Sequence, residues 1–282
     1  MTTTEHATHA THATHTTHAT RPARWPLADG WTIVHRNLLA LKRNPAIVAA
    51  NLVGPIAMVL LFGYVFGGAL AAGGDAAAYR EALVPAAFVL VAGTGLIMAA
   101  GSAALDVQNG VTERFRSLPM QRIAVPFGQA GSQLVLSALS LAVMSGLGVL
   151  VGWRIHTDVW SAAAAFLLLL FFGYALSWVG IYMGLLIRNV EVVQQLSAPI
   201  FGLVMLSNAF VPTATMPPVI RDIAEWSPFS AAITAVRDLF GNGTIPDGPL
   251  PLAHPVLTTL IWSIALIAIF GTLAARRYAK RD

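Results

Sequence analysis

Six runs of about twenty mostly apolar residues, at 46–66, 83–105, 128–153, 161–187, 192–211 and 256–275, constrain this chain more than any other feature. A helix of roughly twenty residues crosses the ~30 Å hydrocarbon core of a bilayer. In lipid every backbone N–H and C=O must be satisfied within the protein, so such runs are expected to be helices. They are apolar around their whole circumference, as membrane helices are. The expected class is an all-α membrane protein with six transmembrane helices. Only 11% of the 282 residues are charged, against about 25% in a soluble domain. That is too few to cover a water-facing surface.

Charge placement orients the runs. With the N-terminus inside, thirteen of the seventeen Lys and Arg lie on the cytoplasmic side, and only Arg80, Arg154, Arg221 and Arg237 lie outside. The positive-inside bias therefore predicts both termini in the cytoplasm and a multi-pass cell-membrane protein. Basic residues flank the runs and do not form one patch, which argues against nucleic acid. Trp153 and Trp160 bracket a short outer loop, where an interfacial aromatic belt is expected.

Residues 1–26 read as a disordered tail. His6, His9, His12, His15 and His18 recur among Thr and Ala with little to bury. Residues 27–282 form the membrane domain. It begins with an interfacial helix over 27–43, whose Trp31, Val34, Leu38 and Leu41 make an apolar stripe beside basic residues. Gly63-x-x-x-Gly67, Gly148-x-x-x-Gly152 and Gly180-x-x-x-Gly184 mark places where helices can approach closely. The longest outer loop, 212–255, should hold two short helices. Pro217 and Pro218 open one that runs to Trp226. Ser227 and Pro228 cap and start the second, and Gly241 stops it, with Ile233, Val236 and Phe240 on one face.

The chemistry missing from the sequence narrows function. Neither lysine, Lys42 or Lys280, follows a Gly-rich phosphate-binding loop, so the chain does not bind ATP by that route. His35, His156 and His254 are scattered, and there is no cysteine, so no metal site is expected. No Asp or Glu lies deep in a run, which disfavours ion-coupled transport. No nucleophile and base share one depth, so an intramembrane enzyme is disfavoured as well.

The segment 106–122, DVQNGVTERFRSLPMQR, interrupts the second and third runs. Val111, Phe115 and Leu118 fall on one face of a helix, with Asn109 as a candidate N-cap and Pro119 as a stop. A short amphipathic helix between spans lies on the membrane surface or docks on another protein.

GVTERFRSLPMQRIAV (110–125) resembles the cytoplasmic loop of type-2 ABC exporter permeases, most closely those of the daunorubicin-resistance branch. SNAFVPTATMPPVIRDIAEWSPFSAAITAVRDLFG (207–241) is similar to that family's fifth-span end and outer helices, and HRNLLALKRNPAI (35–47) to its interfacial helix. The resemblance implies a permease homodimer in a two-plus-two complex with a separate ATP-binding subunit, which alone would hold ATP and Mg. It also implies that Val111, Phe115 and Leu118 fill a cleft on that subunit, with Glu113, Arg114 and Arg116 at the rim. The cargo it implies is an amphipathic small molecule such as a drug or antibiotic. A lipid or polyketide-type metabolite is the alternative, and a membrane scaffold that transports nothing is another. Phe171, Phe172, Tyr174 and Trp178 are candidates for the cargo path, with lipid-facing bulk as the competing role.

Overall fold

A computed structural model describes residues 46–66, 76–110, 124–243 and 249–279. The tail, the segment read as an interfacial helix and the residues read as docking, Val111 to Leu118, lie outside the described residues. Among the described residues all regular structure is helical, as the apolar runs require.

The first helix, α1 (Ala46–Leu60), continues into a π turn at Leu61–Val65. α2 (Ala76–Gln108) follows, then α3 (Ala124–Val151) and α4 (Val159–Ile187). The fifth run is two helices, α5 (Val190–Gln195) and α6 (Ser197–Met205). A long connection then holds α7 (Pro218–Glu225), α8 (Pro228–Phe240) and the single turn α9 (Leu250–Ala253). The chain closes with α10 (Pro255–Leu266), a π turn and α11 (Thr272–Ala279). Four helices are long and apolar enough to cross a membrane: α2, α3, α4 and the stretch Pro255–Arg277. The apolar helices Leu52–Val65 and Val190–Met205 are shorter.

α2 is the centre of the bundle. Between Leu83 and Ala104 every residue except Thr94, Met98 and Ser102 is buried. It runs a turn or more past the expected 83–105 at its N-terminal end. Asn109 and Gly110 close it: Asn109 N–H donates to Leu105 O (2.9 Å) and Gly110 N–H to Val107 O (3.1 Å), with φ of Gly110 at +65°. Asn109 thus ends the helix before it.

α2 packs most extensively on α4. A Cβ on Gly180 would overlap the Leu96 carbonyl, and one on Gly184 the Ala100 carbonyl. These two glycines let the backbones touch. Of the three glycine pairs read from the sequence, this one makes a helix-to-helix backbone contact. Gly148 instead faces the Val84 side chain, and Gly152, at φ +106°, ends α3.

α4 is capped at both ends. Asp158 Oδ2 accepts from the Trp160 and Ser161 amides (3.0 and 3.2 Å), and Oδ1 accepts from Ser161 Oγ (2.7 Å). These bonds, the Ser161 hydroxyl's first, hold the Asp158 carboxyl below its ordinary range. At the other end Arg188 takes the left-handed conformation (φ 57°), and Asn189 Oδ1 then caps α5 from the Glu191 and Val192 amides. Only these two residues join α4 to α5.

The break in the fifth run corrects the expectation of one continuous span over 192–211. Pro199 explains it. Its ring would clash with the Gln195 carbonyl and it offers no amide hydrogen to that carbonyl. The helix therefore resets at Leu196, whose N–H donates to Val193 O (3.0 Å).

The two loop helices follow their caps. Ser227 Oγ accepts from Phe229 N–H (3.3 Å), and Gly241 ends α8 at φ +73°. α8 is buried from Phe229 to Val236 and again at Phe240. It packs on α10, α4 and α2. Trp153 departs from its expected place in an interfacial belt. It is 2% exposed, stacked edge-on with Phe88 and Phe240 (5.2 and 5.1 Å). Its Nε1 donates to Asn242 Oδ1 (2.7 Å). An indole whose N–H finds a partner inside can leave the surface. Trp160, at 84% exposed, is the outward-facing ring of the two.

Candidate functional site

The broken fifth run opens a space. At its start, Val193 packs on Ala100 and Ala104 of α2. Beyond Leu196, α6 keeps only sparse contact with α2, and a cleft of about 490 Å³ lies between them. Leu90, Gly93, Thr94, Ile97 and Met98 form the α2 wall; Gln194, Ser197, Ala198, Ile200, Phe201 and Val204 form the other. The size is within the ~300–1,000 Å³ of small-molecule sites.

The lining is mostly apolar. Thr94 Oγ1 donates to Val91 O (2.8 Å) and Ser197 Oγ to Gln194 O (2.7 Å), so both hydroxyl hydrogens are used within their own helices. The Gln194 amide is the largest polar group present. Such a cleft binds by burying apolar surface and discriminates by a few hydrogen bonds. It holds no pair of groups suited to acid–base or nucleophilic chemistry.

A second cleft, also about 490 Å³, lies further along the same two segments at the end carrying α7 and α8. Tyr79, Ala82 and Leu83 line one side, Asn208 to Ala214 the other, and Arg221, Glu225, Thr234, Arg237 and Asn242 complete it. This lining is markedly more polar.

Arg237 stands beside both segments. Nε donates to Ala82 O (2.9 Å), Nη1 to Asn208 O (3.0 Å) and Nη2 to Ala209 O (2.9 Å). Tyr79 OH reaches Phe210 O next to it (3.4 Å). The carbonyls of Asn208 and Ala209 follow a helix end and have lost their helical partners, so a planar fork of donors suits them. Burial pulls the guanidinium down to about 10, which leaves it a cation at neutral pH. The sequence held a signal for this residue. Arg237 sits four positions after Ile233 and one after Val236, on the edge of the face that α8 buries.

The cargo-path residues read from the sequence lie elsewhere. Phe172 is fully buried and stacks edge-on with Phe229 (5.8 Å). Trp178 is 2% exposed, against Phe127 (5.0 Å) and Tyr174 (6.1 Å). Phe171 and Tyr174 are half-buried. None of the four lines either cleft. Phe172 does bear on the first cleft indirectly, because Phe229 lies against Gly93 on its wall.

The segment read as a docking helix lies outside the described residues, but its anchors are inside them. Gln129 Nε2 donates to Asp106 Oδ2 (2.6 Å), tying the start of α3 to the end of α2. No group of metal-ligating side chains forms among the described residues.

Comparison with known proteins adds two findings. Residues 29–240 match the model of the ABC-2 type transporter family. The "Daunorubicin resistance ABC transporter permease protein DrrB1" of Streptomyces coeruleorubidus is 30% identical over 265 residues, which is 93% of this chain and 90% of that protein.

Proposed function

Because the chain belongs to the ABC-2 type transporter family, we propose that it is the membrane subunit of an ATP-driven exporter whose cargo is an amphipathic, drug-like molecule of the daunorubicin kind. The 30% identity to a daunorubicin-resistance permease, over 93% of this chain, carries this reading. The chain is a permease subunit, not a catalyst, and ATP hydrolysis belongs to a partner subunit. ATP and Mg would be held there.

The membrane is crossed six times, with α1 and the α5–α6 pair completing the count. Both termini face the cytoplasm, so the 111–118 segment does too. The α7–α8 end then faces outside. Val111, Phe115 and Leu118 dock in the ATP-binding subunit, with Glu113, Arg114 and Arg116 at the rim. The Asp106–Gln129 bond supports this reading, because a docking helix transmits force only if its base is held. Two permeases and two ATP-binding subunits form the working complex. The first cleft takes the cargo, since it combines an apolar wall with the Gln194 amide. Phe172 backs that wall through Phe229.

The test is export. Cells expressing this chain together with its ATP-binding subunit should lose daunorubicin faster than cells expressing either alone. Phe115→Asp should abolish the difference while the variant still inserts. Equal efflux with and without the pair would overturn the drug-exporter reading. Unchanged efflux in Phe115→Asp would overturn the docking.

A further inference from the structure

The same two segments wall both clefts, and Arg237 bridges them in between, beside the Tyr79 OH–Phe210 O contact (3.4 Å). Ala82 is on α2, eight residues before Leu90 at the edge of the first cleft, or about 12 Å along the helix at 1.5 Å per residue. Asn208 and Ala209 are on the chain leaving α6, just past Val204. Arg237 holds all three carbonyls from a third body, α8. We propose that Arg237 is a latch: it closes the first cleft at the α7–α8 end, and the second cleft is the vestibule into which cargo passes when the latch releases. This rests on the export reading for its direction, and the geometry alone for its position.

Three features make the contact a latch and not merely a brace. First, its base is firm. α8 is fixed by Ile233, Val236 and Phe240, all 0% exposed. The 156–157 backbone is tied to it, with His156 N–H donating to Phe240 O (2.9 Å) and Thr157 Oγ1 to Leu239 O (2.6 Å). Second, what it grips can let go. The Asn208 and Ala209 carbonyls lie beyond the helix end, and they line the more polar of the two clefts, where water would replace the guanidinium. Release then exchanges hydrogen bonds and leaves none unmade. Third, the opposite face of the assembly cannot yield. The glycine contact of α4 with α2 is backbone against backbone. Separation of the first cleft's walls at this end must therefore break the Arg237 bonds, and with them the Asn208 bonds to Ser230 Oγ (3.2 Å) and Thr234 Oγ1 (2.7 Å) on α8 and the Tyr79–Phe210 contact.

The chain has no cysteine, so single cysteines report access cleanly. Thr94→Cys places a thiol in the first cleft, Ala214→Cys one in the second, and Ala165→Cys one in the packed core. A membrane-impermeant maleimide is applied to the full-length protein in right-side-out and inside-out vesicles. With Arg237 present, Ala214→Cys should label from the α7–α8 side and Thr94→Cys should not. Adding Arg237→Gln should raise Thr94→Cys labelling from that side at least tenfold and leave Ala165→Cys unlabelled. Arg237→Lys should fall between, because an ammonium cannot span three carbonyls as the planar fork does. A Thr94→Cys thiol that stays protected in Arg237→Gln overturns the latch. So does parallel labelling of Ala165→Cys, which would mean that Arg237 only holds the fold. Labelling needs no transport, so a failed efflux assay beside a positive labelling result would reject the export reading and leave the latch standing.

Discussion

One helix, α2, shows two faces that behave oppositely. Ala92, Leu96, Ala100 and Ala103 meet α4 at Gly173, Gly180 and Gly184 with no space between. Leu90, Gly93, Thr94, Ile97 and Met98 face α6 across about 490 Å³. The first face is mostly alanine and the second carries larger side chains; the neighbours differ as well. α4 is unbroken from Val159 to Ile187 and presents glycines where the backbones cross. The fifth run is interrupted at Leu196, and its first turns pack closely on α2 while the rest touches it sparsely. A continuous partner with small residues makes a rigid seam. An interrupted one leaves room for a ligand and for movement.

The comparison breaks most readily at the seam. Gly180→Leu drives a side chain into the Leu96 backbone, which no rotamer relieves. Folded protein should be lost, a cost of about 4–5 kcal/mol or more, read as missing monodisperse material or a collapsed melting temperature. Gly146→Ala, on α3 with nothing near its Cβ, is the control and should hold or gain up to ~1 kcal/mol. Parent-like melting of Gly180→Leu would show that the seam is not rigid.

Pro199→Ala tests the other face. It permits the missing Gln195 bond and should fuse α5 and α6. The gain is up to ~3 kcal/mol by helix propensity, with export reduced because the walls straighten and close. A more stable protein that exports normally would separate the break from function. Ala198→Trp fills the cleft from an exposed position. It should stop export while shifting stability by no more than ~0.5 kcal/mol, which a melting curve and an efflux assay together read.

The smallest effect concerns the start of α4. The Asp158 carboxyl is depressed in the folded state. Its contribution is therefore present above the unfolded pKa, about 3.9, and is lost as pH falls through the lower folded value. Melting temperature should drop in that acid window, and Asp158→Ala should flatten that part of the drop. An identical acid profile in both proteins would remove the cap from the account of α4's continuity.

Much of this architecture is legible in the sequence. Apolar length places the long helices, and proline, serine and glycine at the right offsets place α7 and α8 to within a residue. These are local signals. The cleft is not local. Runs that are apolar on every side carry no periodicity to say which face meets which neighbour. Pro199 could have disclosed the break, since a proline well inside a run removes one helical bond wherever the helix packs. Trp153 misleads for a related reason: its position beside a loop suits a belt, and its burial depends on Asn242, 89 residues later. Arg237 was legible as a charge on the edge of the apolar face of α8. That it serves carbonyls on two other segments depends on tertiary approach.

The two-residue link at Arg188 and Asn189 sets the kind of motion available to the cleft. With α5 tethered so closely to the end of α4, the α5–α6 arm can swing but has no slack to slide. Its Val190–Met205 length is about 24 Å at 1.5 Å per residue, so a rotation of ~10° about that joint would carry its far end by roughly 4 Å. The far end is where Asn208 and Ala209 sit, so a small angle at the Arg188–Asn189 joint becomes an aperture at the end carrying α7 and α8.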